Sequence, residues 1–159
     1  MGYVLNWLNN VRDLALGSEM TTSGDYNYLI GHMAKILRSK QYAGFLIEKM
    51  QINQSSFLFL QSMPGIFEET ELLELLTIAA RRPKMRTHCF NLLAQYFSEN
   101  TEVAELMASF LKDDQAYWQA LTVMPAFVKA GNTQAFENVI KNLPISKQEQ
   151  MKMRLQRKN

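Results

Sequence analysis

The sequence predicts an all-α protein in which antiparallel helical hairpins stack as a short right-handed α-solenoid of about ten helices. Three observations carry this expectation. Apolar residues recur at three- and four-residue spacing along nearly the whole chain, which is the period of a helix with one buried face. Helix-breaking residues interrupt that pattern at intervals of roughly ten to sixteen residues. Part of the sequence also repeats itself 32 residues further on.

Taken in order, the first element is a cap helix over residues 1–17. Val4, Leu8, Val11 and Ala15 form its stripe, and Gly17 is suited to the left-handed conformation that ends a helix. Ser23 is placed to cap a second helix with the stripe Tyr26, Leu29, Ile30, Met33, Ile36 and Leu37. The pattern restarts after Ser39 and Lys40 with Tyr42, Phe45, Leu46 and Met50. Firmer breaks follow at Pro64-Gly65, Pro83, Ser98 to Thr101, Asp113-Asp114 and Gly131-Asn132-Thr133. Pro144 then precedes Ser146-Lys147-Gln148-Glu149, which reads as a capping box opening a basic C-terminal helix over 146–158.

The repeat is seen most directly where Asn100-Thr101 recurs as Asn132-Thr133. Under the same 32-residue offset Leu92 falls on Met124, Ala94 on Ala126, Tyr96 on Val128, Met107 on Val139 and Leu111 on Leu143. A second echo, at an offset of 61, pairs Leu60, Met63-Pro64, Ile66 and Phe67 with Leu121, Met124-Pro125, Phe127 and Val128. The expected organisation is therefore one domain over 1–159, with four hairpins spanning 25–143, near 25–52, 54–82, 84–112 and 115–143. Their apolar faces would join into one core, with the atypical ends as caps. Asn100 and Asn132 are expected to cap the second helices of neighbouring hairpins through their side-chain oxygens.

Residues Ala130-Gly131-Asn132-Thr133-Gln134-Ala135-Phe136-Glu137-Asn138-Val139-Ile140 resemble the inter-helix turn and second helix of an ankyrin repeat. A proline inside a helix, Pro125, is similar to the HEAT pattern. No Thr-Pro-Leu-His signature is present, and the spacing matches neither ankyrin nor tetratricopeptide repeats. What the resemblance to the helical-repeat class implies is binding of another protein on an extended concave surface.

Composition narrows the function classes. A hydrophobic fraction of 47% and a charged fraction of 20% exclude a disordered or collagen-like chain. At 159 residues roughly two thirds of the unfolded surface can be buried without a disulfide or metal. A net charge of +2 gives no global case for nucleic acid. Cys89 is the single cysteine and cannot form an intrachain disulfide, so a reducing, cytoplasmic location is expected. Asn6, Asn9, Asn10 and Arg12 interrupt the N-terminal apolar residues, which argues against a signal peptide. Gly2 invites a myristoylation reading, but Asn6 stands where Ser or Thr is needed. No apolar run reaches the roughly 18 residues of a membrane span.

Enzymatic chemistry finds little support. His88 and Cys89 are adjacent, so on a helix they point about 100° apart and cannot work as a pair. His32 and His88 are the only histidines, so no zinc or di-metal ligand set is available, and no glycine-rich phosphate loop occurs. No catalytic, cofactor or metal site is expected. The leading expectation is an adaptor, scaffold or effector-type module with a protein partner.

Two rows of carboxylates nominate its surface. Glu74, Glu105 and Glu137 recur at spacings of 31 and 32, and Glu71 and Glu102 at 31, so stacked second helices would align them into an acidic stripe. The plain alternative is that carboxylates near helix starts simply complement the dipole. Trp7 on the cap helix is a candidate for contact with the first hairpin, for self-association or for a membrane surface. The methionines and Trp118, Phe57 and Phe59 read mainly as core. An alternative function, nucleic-acid binding, would use Arg81, Arg82, Lys84 and Arg86, with His88, and the basic segment 147–158. Against it, basic residues at a helix C-terminus also complement the dipole.

Overall fold

The computed structural model describes residues 40–49 and 54–156, and all regular structure among them is helical. The cap helix at 1–17, Trp7, and the first helix expected in the first hairpin lie outside the described residues. The chain divides into two compact units, with the boundary between Ala79 and Ala80.

The first unit holds α1 (Lys40–Lys49), α2 (Gln54–Ser62) and nearly all of α3 (Glu69–Ala80). Helix α1 buries Ala43 and Ile47, four residues apart, and α3 buries Leu72, Leu75, Leu76 and Ala79 at the same helical period. Burial of each large aliphatic or aromatic side chain contributes roughly 1.5–3 kcal/mol. Helix α2 gives way to a 3-10 turn at Met63–Gly65, where Pro64 stands in the first turn. The amides of Ile66 and Phe67 both donate to the Met63 carbonyl, at 3.0 and 3.1 Å. This turns the chain before α3 starts with Leu72 N–H donating to the Glu68 carbonyl at 2.8 Å. Helix α3 stops two residues short of Arg82, which Pro83 holds extended at φ −91°, ψ 113°.

The second unit contains α4 (Arg86–Phe97), α5 (Thr101–Ser109), α6 (Tyr117–Lys129), α7 (Thr133–Ile140) and α8 (Ile145–Gln156). Helix α4 lies beside α6, and α5 beside α7. Helix boundaries are spaced by the same 32 residues: Phe97 and Lys129 end α4 and α6, and Thr101 and Thr133 begin α5 and α7. Buried positions correspond as well: Cys89 with Leu121, Leu92 with Met124, Val103 with Ala135, Ala104 with Phe136 and Leu111 with Leu143. Phe90 and Phe97 are buried, but their counterparts Thr122 and Lys129 are exposed.

Local chemistry accounts for the turns. Helix α6 ends in a Schellman motif, in which Asn132 N–H donates to the Phe127 carbonyl and Gly131 N–H to that of Val128, each at 3.0 Å. Gly131 sits at φ +98°, a conformation that a side chain would strain. Pro125 lies inside α6, where the lost amide hydrogen bond and the ring's clash with the preceding turn together cost about 3 kcal/mol. Burial of Val123, Met124 and Phe127 around it carries the helix through. The expected capping box at Ser146 is corrected. Helix α8 already starts at Ile145, and its first helical bond runs from Gln148 N–H to the Pro144 carbonyl at 3.1 Å, so Ser146 stands inside the helix.

Candidate protein-binding surface

The two Asn-Thr pairs occupy the same position in their hairpins but do different work. The Asn100 side chain accepts from Val103 N–H at 3.1 Å and caps α5. Asn132, at the start of α7, makes no such bond. Its Nδ2 instead donates to the Ser98 carbonyl at 2.7 Å, and its Oδ1 accepts from the Thr101 hydroxyl at 3.2 Å. The expectation of two equivalent side-chain caps is therefore corrected. One asparagine caps its own helix, while the other ties its turn to the turn of the preceding hairpin.

This tie joins the turn before α5 to the turn before α7, and the two helices lie side by side. Glu102 and Glu105 of α5 and Glu137 of α7 are exposed. Glu105 and Glu137 are each the fifth residue of their helices. The dipole account covers Glu102, which stands in the first turn of α5, but neither Glu105 nor Glu137, which stand beyond it. In the first unit, Glu71 is half-buried in the first turn of α3, while Glu74 is exposed further along that helix. Lys40 of α1 donates to Glu74 Oε2 at 2.6 Å. That hydrogen bond, above all, raises the lysine pKa, and the negative charges of Glu74 and Glu71 add to it.

The basic residues are dispersed. Arg81 and Lys84 are exposed, and Arg82 and His88 are half-buried. Burial lowers the Arg82 pKa. Arg86, nominated for phosphate contact, is buried at 8% exposure. Its Nε donates to the Ala80 carbonyl at 2.9 Å, closing the C-terminal end of α3, and Nη1 lies 3.5 Å from Asp113 Oδ2. Its guanidinium carbon also sits 5.5 Å from the Phe110 ring centre. A side chain so enclosed cannot neutralise a phosphate backbone. In α8, Lys147 reaches Asp114 at 2.6 Å and lies 4.5 Å from the Tyr117 ring centre.

Cys89 is fully buried, and desolvation raises its thiol pKa far above the ordinary range, the opposite of what a nucleophile needs. Phe59 is buried and Phe57 partly so, but Trp118 is 58% exposed against the edge of Tyr117. The core reading does not hold for that tryptophan. No helix among the described residues is long and apolar enough to cross a membrane. The Arg86–Asp113 pair and the Asn132 tie are not legible in the sequence, because each joins residues far apart along the chain. Only the 32-residue repeat hinted at the second.

No protein-family model, curated protein or solved structure matches the chain.

Proposed function

We propose that this protein is a non-enzymatic interaction module in which helical hairpins continue as a short right-handed α-solenoid and hold a basic segment of a protein partner. The observation that carries this reading is the pairing of α5 with α7 at a 32-residue repeat, with Glu105 and Glu137 exposed at equivalent positions beyond the reach of the dipole explanation. Exposed carboxylates on neighbouring helices steer a cationic partner and fix its register more than they add raw affinity. An adaptor or scaffold role in the cytoplasm accords with this chemistry. Nucleic-acid binding through Arg81, Arg82, Lys84 and Arg86 loses its central cation to the interior.

The test is affinity capture with the full chain, with and without nuclease and at low and high salt, read by mass spectrometry. A protein captured equally after nuclease treatment supports the reading. Recovery that vanishes with nuclease and falls steeply with salt would instead indicate phosphate-driven binding.

A further inference from the structure

Helices α1 and α3 border a groove lined by Lys40, Gly44, Glu48, Glu74, Leu75 and Ile78. Its floor is apolar and its rim is charged. Gly44 lies inside α1, where glycine is less favourable than alanine. Packing does not demand that cost, because a Cβ at this position would meet Ile78 Cδ1 and Leu75 Cδ2 at 3.8 Å, an ordinary contact distance. The missing side chain leaves the floor open. At the rim, Glu48 and Glu74 are exposed, and the ammonium of Lys40 bonds Glu74 at 2.6 Å. The groove thus already pairs one of its carboxylates with an alkylammonium side chain from its own wall.

We propose that this groove receives a lysine or arginine side chain of a basic partner segment, with its apolar stem over Gly44 and Ile78 and its cationic head between Glu48 and Glu74, displacing Lys40. This rests on the reading that the protein binds a basic segment, and it names the side-chain chemistry that is read. Long basic side chains bury their methylene stems on apolar surface while the charged head stays at the rim. Charge-assisted bonds to carboxylates supply the recognition, and a guanidinium can engage them bidentately. Lys40 acts as an internal competitor for the same carboxylate.

The test uses the full chain and a short fluorescent arginine-containing peptide, with its glutamine counterpart as the uncharged control, read by anisotropy. Lys40→Ala removes the competitor and should tighten binding about two- to fivefold, the range expected for one exposed ion pair. Lys129→Ala makes the same charge change at an exposed residue outside the groove and should leave affinity unchanged. Gly44→Ala should raise the melting temperature yet weaken binding, and Glu74→Gln should weaken it without that gain. A merely structural ion pair and glycine would not produce these opposed signs. The proposal is overturned if wild type and Lys40→Ala both fail to bind the peptide. It is equally overturned if Lys40→Ala and Gly44→Ala leave affinity unmoved. Peptide binding that is lost in Glu105→Lys/Glu137→Lys but indifferent to the groove variants would keep the wider reading and remove the groove. The reverse pattern would keep the groove and remove the carboxylates of α5 and α7.

Discussion

Asn132 donates to the carbonyl of Ser98 at 2.7 Å, so the turn that opens α7 is bonded to the turn that closes α4. The same side chain accepts from Thr101, which makes it a two-ended tie between successive hairpins. Asn132→Ala should lose both bonds and strand a part-buried carbonyl, at a cost of about 1–3 kcal/mol. Asn100→Ala removes a helix cap and should cost about 1 kcal/mol. A double-mutant cycle in urea between Asn132→Ala and Thr101→Val should show coupling, whereas additive effects would mean that the 3.2 Å contact contributes nothing.

Arg86 gives the second prediction. Arg86→Ala leaves the Ala80 carbonyl without its buried donor and removes the packing of the guanidinium on Phe110, and it should destabilise the protein by about 1–3 kcal/mol in chemical denaturation. Asp113→Asn should cost clearly less, since the Ala80 bond survives. A stable Arg86→Ala protein would contradict the buried placement.

Cys89 makes stability depend on pH at the alkaline end. Its pKa in the folded protein lies above the ordinary 9.0, so above that pH the unfolded chain releases a thiol proton that the folded chain retains. Proton release from the unfolded state alone favours unfolding, so the contribution is complete below about pH 9 and declines as pH rises. Denaturation midpoints for wild type and Cys89→Ala should therefore converge with increasing pH. Ellman's reagent should modify the native thiol only at the rate of unfolding.

How far the sequence reveals this molecule depends on the range of the interaction. The breaks at Pro64-Gly65, Pro83 and Gly131 follow from the backbone preferences of single residues, and they stand where those preferences put them. Helical class follows from apolar period, which is likewise local. The role of Asn132 was not legible, because a cap and a cross-turn tie use the same side chain at the same helix position. Arg86 misled for a related reason. A run of basic residues reads as surface, but its stem and guanidinium fit against Ala80, Phe110 and Asp113, partners that only the tertiary fold supplies. Ser146 shows a smaller displacement, since the carbonyl of Pro144 starts α8 before the serine can cap it. At the candidate surface, the equivalence of Glu105 and Glu137 was readable from the repeat, whereas the pairing of Glu74 with Lys40 depends on how α1 meets α3.

Glu105 of α5 and Glu137 of α7, both exposed, carry the proposed function. The most direct measurement compares partner capture by wild type and by Glu105→Lys/Glu137→Lys, after nuclease treatment and with circular dichroism and melting temperature matched between them. Both residues are exposed, so the fold should persist, and surface substitutions of this kind usually stay within about 0.5 kcal/mol. Capture of the protein partner should be abolished by the double reversal. Undiminished capture by the folded double variant would contradict it.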